Sequence, residues 1–263
     1  MADTGSERRR QRDALRGITR LGRLQRCAIT PTGRADGSTQ KCGSVWSCPV
    51  CSAKIRHERA QELEHALGRW MELYPAGSAL LLTLTIPHDR GEALDGLMDT
   101  IRHAWTRLTS GGAWTRDKAS YGVQHYVRAW DSTHGGNGWH PHLHALLFLD
   151  REPAEGELEQ LESRLHGRWA RACTERGHRE PSREHGTHML RIDKSSAAAN
   201  LMAWGAWSAC TGATTIAGIW AQVAARDARS RFLAREWEQA THGRQWMRWS
   251  HGLKETTRVV GNP

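Results

Sequence analysis

Residues 139–149 read Trp139-His140-Pro141-His142-Leu143-His144-Ala145-Leu146-Leu147-Phe148-Leu149. An aliphatic run from His142 to Leu149, with histidines at alternate positions leading into it, has the period of two that a β-strand imposes. On a strand, His140, His142 and His144 share one face, and Leu143 points to the other, where it anchors the strand in a core. Three imidazoles on one face suit a metal ion, whereas a His-rich strand lining a solvated surface is the plainer alternative.

Working outward, Gly135, Gly136 and Gly138 mark a turn, and Tyr121 to Thr133 before it reads as a strand. A hairpin about that turn puts Asp131 across from His140 or His142, and directly opposed residues share a face. A register shifted by one would carry Asp131 to the wrong side. Two imidazoles and a carboxylate with open positions suit Mg²⁺ or Mn²⁺.

The flanking sequence supplies the remaining elements. Leu63, Ala66, Leu67, Trp70, Met71 and Tyr74 recur at helical steps. Ala79 to Ile86 is a buried strand stopped by Pro87, and Leu94, Leu97, Met98, Ile101, Trp105 and Leu108 mark a helix. Leu158, Leu161, Leu165, Trp169 and Ala172 mark another helix, Thr187 to Asp193 a short strand, and Ala-rich sequence from Ser195 leads into a helical tail. Strand, helix, strand, strand, helix, strand predicts an α+β chain with a ferredoxin-like or RRM-like split β-α-β core and a central antiparallel sheet. The expected organisation is a basic arm over 1–26, a Cys-rich segment over 27–54, a core over 55–212 and a helical basic tail over 213–263.

The 263 residues carry a formal net charge of +9, which favours a polyanionic partner. No apolar run reaches 18 residues, and the Arg-rich start lacks the apolar segment of a signal peptide, so no membrane partner and a cytoplasmic, bacterial location are expected. Arg8, Arg9, Arg10 and Arg12 in the arm and Arg244 and Arg248 in the tail are candidate DNA-phosphate contacts, or else solvated faces. Trp accounts for 13 residues against three Tyr and two Phe, supplying core packing or faces on which bases stack. Cys27, Cys42, Cys48 and Cys51 suit a tetrahedral structural Zn²⁺, with reduced buried thiols or a redox pair as alternatives.

Several of these stretches resemble one family. Trp139 to His144 looks like the HUH motif of rolling-circle plasmid replication initiators, closest to those of actinobacterial plasmids. Thr83-Leu84-Thr85-Ile86-Pro87-His88 is similar to their first conserved strand, Cys42 to Cys51 to their Cys-rich entry, and Gly243 to Leu253 to their closing motif. The resemblance implies a metal held by His142, His144 and Asp131, the last standing where the family usually has Glu, with His140 as an extra ligand or outer group. It further implies single-stranded or hairpin origin DNA as partner, with host helicase and polymerase, and strand cleavage by a Tyr on a helix after the HUH strand.

That Tyr is missing. Tyr74, Tyr121 and Tyr126 are the three present, and the best alignment puts Asn200 and Ala203 where Tyr and Lys are expected. An amide cannot attack a phosphodiester as a phenolate does. Strand parity turns Tyr126 away from Asp131. The expectation is therefore an initiator-like HUH protein whose nicking activity is open. A catalytically inactive DNA-binding protein, a repressor or decoy of an active initiator, is the competing class, and a zinc-dependent RNA-binding protein a third.

Overall fold

The structure, a computed structural model, describes residues 5–192 and 212–258. The segment carrying Asn200 and Ala203 lies outside the described residues, as do Trp204 and Trp207.

Helices α1 (Gly5–Arg16) and α2 (Gly22–Gln25) lead through the Cys-rich loop to the long α3 (Pro49–Leu73). Then come β1 (Ser78–Thr85), α4 (Leu94–Leu108), α5 (Gly111–Tyr121), β2 (Val123–Gly135), β3 (Gly138–Leu149), α6 (Glu157–Thr174), α7 (Arg183–Gly186) and β4 (Thr187–Ile192). Beyond the undescribed stretch lie β5 (Thr214–Thr215), α8 (Ile216–Ala224), α9 (Ala228–Thr241), β6 (Met247–Trp249) and α10 (Leu253–Thr256).

The sheet runs β4-β1-β3-β2-β5, with β6 also on β2, and every pairing is antiparallel. The first four strands follow the split β-α-β order the sequence predicts, with β3 central. β1 and β3 are continuous apolar runs because both of their faces are covered. On one face Trp105 of α4 stands edge-on to Tyr126 at 5.1 Å. On the other Trp70 of α3 meets Phe148 at 5.7 Å and donates its indole N–H to the Leu149 carbonyl at 2.8 Å. Fully burying one such large side chain stabilises by about 1.5–3 kcal/mol, so these contacts fix which helix covers which face.

Four elements depart from expectation. Tyr121 does not begin β2 but ends α5, where Gly122 at φ +72° turns the chain into the strand. Two glycines at the start of α5 and a weakly amphipathic pattern hide it from periodicity arguments. The arm is not loose: α1 is a helix with Gln11, Arg12 and Leu15 buried. Residues just after it are tied to α9, since Glu238 accepts from the Arg20 backbone N–H at 2.9 Å and the Ile18 carbonyl accepts from Arg235 at 3.2 Å. The tail also joins the sheet through β5 and β6, and α3 runs unbroken through residue 54.

Three indoles link segments far apart in sequence. Trp139, next to the hairpin turn, stacks on Trp237 of α9 at 5.9 Å, and Trp237 meets Trp46 of the Cys-rich loop edge-on at 5.5 Å. Trp237 and Trp246 are buried, so these tail indoles pack the core and are not presented to bases.

Candidate metal centre and its surroundings

The hairpin sets the geometry of the histidine face. Gly135 pairs with Gly138, and the register carries on to Asp131 opposite His142 and Ala129 opposite His144. Of the two partners open to Asp131 from sequence, the register selects His142. On the far side of β3, Thr85 faces His142 and Thr83 faces His144.

His140, His142 and His144 stand on one face, with neighbouring ring centroids 5.5 and 4.9 Å apart. The His142 Nδ1–H donates to the His140 carbonyl at 3.1 Å. A carbonyl can only accept, so this bond fixes the proton on Nδ1 and leaves the Nε2 lone pair facing outward. Nε2 then lies 3.8 Å from Asp131 Oδ2. Two acceptors turned toward each other repel unless a cation sits between them. Metal–ligand bonds of about 2.0–2.2 Å place two ligands of one ion about 3–4 Å apart, so the pair fits a divalent ion.

His144 Nδ1 meets the Thr83 hydroxyl at 3.0 Å, and where Nδ1–H donates to that oxygen, Nε2 is the ring nitrogen that could bind a metal. Asp131 Oδ1 accepts from the Ser132 N–H at 2.9 Å, orienting the carboxylate. His140 turns away toward His88, with their Nδ1 atoms 3.4 Å apart. That suits an outer role better than a fourth bond to the same ion.

Burial tunes these groups. Asp131 is pushed up to about 6 by burial, opposed by the charge of Arg56 on α3. Burial takes His142 down to about 4 and His140 down to about 3, the latter with help from His142 and His88. His144 is lowered well below its ordinary value by burial and by His142. All three rings are therefore neutral at pH 7, the form in which imidazole binds a metal. Arg56 lies over the Trp246 ring at 4.6 Å, and its charge reaches Asp131. Asp131, His142 and His144 are buried, while Thr83, Thr85, His88 and His140 form a half-exposed rim.

Sequence reasoning named the candidate ligands but not the groups that touch them. Thr83 and His88 stood in a quoted motif without a role. Arg56 gave no signal, because its proximity to Asp131 depends on how α3 crosses the sheet.

The four thiols form a second centre. Cys27 Sγ lies 4.0 Å from Cys48 Sγ and 3.9 Å from Cys51 Sγ, and Cys42 Sγ lies 3.6 Å from Cys51 Sγ. Four thiolates around one Zn²⁺ at about 2.3 Å sit about 3.8 Å apart, so these spacings could hold a tetrahedral metal. Among the described residues this is the one set of three or more candidate ligands whose atoms all lie within 4.8 Å of one another. Neighbouring Cys42 and Cys51 push the Cys48 thiol far up, so the crowded thiols resist joint ionisation until a cation compensates them. Cys48 caps α3 and Cys51 lies in its first turn, where the helix N-terminus favours negative charge. Cys173, buried in α6, stands apart from this cluster.

The basic candidates divide. Arg9 and Arg10 are exposed and Arg8 is half-buried, with Arg10 pairing with Glu7. Arg12 is buried and paired with Asp13 at 2.9 Å. Arg244 clamps the tail onto α4 through Asp99 at 3.0 Å and Asp95 at 2.5 Å. Arg12 and Arg244 thus serve intramolecular ion pairs, while Arg248 is exposed.

Comparison with known proteins matches this arrangement to one family. Residues 37–166 match the replication protein family. That segment is similar to a replication protein. It contains the Cys42–Cys51 entry, β1 to β3 and the whole His–Asp hairpin. The chain is 34% identical to protein rep of Streptomyces lividans over 144 residues, 44% of this chain and 31% of that protein. It is 32% identical to a neomycin resistance protein of Streptomyces cyanogenus over 134 residues, 41% of this chain and 30% of that protein. The matched stretch is thus about a third of these curated relatives' length. No solved structure matches the chain. No helix among the described residues is long and apolar enough to cross a membrane.

Proposed function

We propose that this replication-protein chain binds single-stranded or hairpin origin DNA and sets one backbone phosphate against a divalent ion, Mg²⁺ or Mn²⁺, at an HUH site. His142 through Nε2 and Asp131 through Oδ2 would hold that ion, with His144 closing in as the ion binds, since the three ligand atoms do not all lie within 4.8 Å of one another here. The observation that carries the reading is the Nε2 lone pair of His142 facing the Asp131 carboxylate across 3.8 Å. The ion, when bound, supplies polarisation of a phosphate oxygen. The chain's own groups do the rest: Thr83 and the His140 carbonyl orient the rings, and Arg56 balances the buried acid. The Cys27–Cys42–Cys48–Cys51 cluster takes a structural Zn²⁺ that ties the entry loop to α3.

A second reading, DNA binding without nicking, has a specific observation behind it. Tyr74 stacks on Trp70 at 4.1 Å, Tyr121 is buried at the end of α5, and Tyr126 packs against Trp105 on the sheet face opposite Asp131. None of the three is turned toward the His–Asp site. A repressor or decoy of an active initiator would need the DNA contact and not the nucleophile. Partnership with host helicase and polymerase would follow only from the first reading.

Incubation with Mn²⁺ and labelled single-stranded origin DNA, read on a denaturing gel, separates the two. A covalent or shortened product that disappears in His142→Ala and His144→Ala supports a nicking initiator. Retained product in those variants removes the metal assignment. Binding without product supports the non-nicking reading, and neither binding nor product sinks both.

A further inference from the structure

Away from the histidine face, strands β2 and β6 bring two arginines together. Arg128 and Arg248 are register partners. Directly opposed residues of an antiparallel ladder project to the same side. Arg128 shares its parity with Tyr126 and Trp130, so this side is the one opposite Asp131.

Among the described residues the pair lacks a counter-charge. Arg128 is only 8% exposed, yet its Nε and Nη1 are buried with no hydrogen-bond partner. Among the described residues neither guanidinium has an ion pair. The nearest help for Arg128 is the Trp130 ring, 6.0 Å from its guanidinium carbon. Burial and the like charge of Arg248 bring Arg128 down to about 10, with Tyr126 opposing, so it stays charged at neutral pH. Burying an ion without a partner is costly, and like charges set opposite each other on a ladder destabilise it further. Elsewhere the chain pairs its enclosed arginines with acids, as at Arg12–Asp13 and Arg244–Asp99. Here it leaves two donor forks open, one buried and one exposed.

We infer that Arg128 and Arg248 form a binding site for a phosphate group, the outer arginine capturing the anion and the inner one completing its hydrogen bonds. A tetrahedral oxyanion offers several acceptors, and a guanidinium fork matches it in two-point geometry. The inference deepens the proposed function, on which the DNA source of that phosphate rests. A backbone phosphate bound here would lie across the sheet from the metal centre, so the chain would hold DNA at two places. Free inorganic phosphate is the other source with the same chemistry.

The test uses the full chain with one equivalent of zinc and neither Mg²⁺ nor Mn²⁺ added, so the His–Asp site is left without the ion proposed for it. Two readouts are taken for wild type, Arg248→Ala and Arg128→Met. The exposed Arg248 can be changed without disturbing the core, and Met fills much of the buried Arg128 volume without charge. First, inorganic phosphate is compared with chloride at equal ionic strength, and the rise in Tm is taken within each protein. Differencing against the variants removes the general effect of phosphate as a salt. Second, affinity for a single-stranded oligonucleotide is followed against salt. The expected result is a phosphate-dependent Tm rise in wild type that shrinks in both variants. The slope of log affinity against log salt should also become shallower by about 0.7 in Arg248→Ala, one phosphate contact on a single strand. A reduced Tm rise with an unchanged DNA slope assigns the site to the free anion. Equal Tm rises and equal slopes in all three proteins overturn it. A wild type that binds no DNA would sink the proposed function while the phosphate arm still judges the arginine pair.

Discussion

Asp131 on β2 faces His142 on β3 across the hairpin, its Oδ2 3.8 Å from a ring nitrogen whose lone pair points back at it. The closeness is costly without a cation and useful with one. Asp131→Asn keeps the shape and removes the charge. It should lower Mn²⁺ affinity by at least about tenfold, or 1.4 kcal/mol, measured by calorimetric titration. The metal-free variant should melt at the same temperature as wild type or higher, because a buried carboxylate has gone. An unchanged Mn²⁺ affinity would remove Asp131 from the ligand set.

Thr83 touches His144 and not the proposed ion, so it acts by orientation. Thr83→Val removes the 3.0 Å contact to Nδ1 while keeping the branched shape. Metal affinity should fall by about 10–100-fold, the usual cost of losing an outer partner of a ligand. Thr83→Ser, which keeps the hydroxyl, should recover most of it. Equal losses in both variants would point to packing as the cause.

The hairpin geometry also governs acid stability without metal. His142 is held at about 4 and His140 at about 3, against an ordinary value near 6.5. Below pH 6.5 the unfolded chain therefore takes up protons that these folded rings refuse. Their contribution is fully present above pH 6.5 and is lost as pH falls toward 4. Asp131 works the other way, since at about 6 it gains its proton in the folded state first. Three lowered imidazoles, His144 included, outweigh one raised carboxylate. Urea midpoints should therefore fall between pH 7 and pH 5, with a smaller fall in His142→Asn. One such group contributes at most about 1.4 kcal/mol per pH unit. A stability that is flat or rises over this range would contradict the assignment.

The Cys cluster predicts a structural role. Zinc analysis of the purified chain should give one ion per molecule, and Cys48→Ser should lose most of it. Chelation should lower Tm by roughly 10–20 °C, corresponding to about 5 kcal/mol for a domain of this size. Zinc content near zero in the folded wild type would return the four residues to plain buried thiols.

The histidine hairpin was legible in sequence because period-two alternation, a Gly-rich turn and one acid are all local signals. The order of β1, α4, β2, β3, α6 and β4 followed from the same periodicities. What stayed hidden depends on contacts between distant segments. The sequence cannot say that α3 brings the charge of Arg56 to bear on Asp131, that Arg12 and Arg244 are taken up by acids, or that β6 lays Arg248 beside Arg128. Helix α5 gives little signal because two glycines, Gly111 and Gly112, open it, and its last residue, Tyr121, reads as the start of the strand that follows. The arm over 1–26 reads as solvated because its eight arginines look polar locally, while Leu15 and Gln11 are buried only once α8 and α3 close over them.

The most direct test of the central claim is a Mn²⁺ titration of the zinc-loaded chain, followed by loss of the free-ion electron paramagnetic resonance signal. Wild type should take up one Mn²⁺ per chain, and His142→Ala should not. Equal uptake by the two proteins would contradict the account.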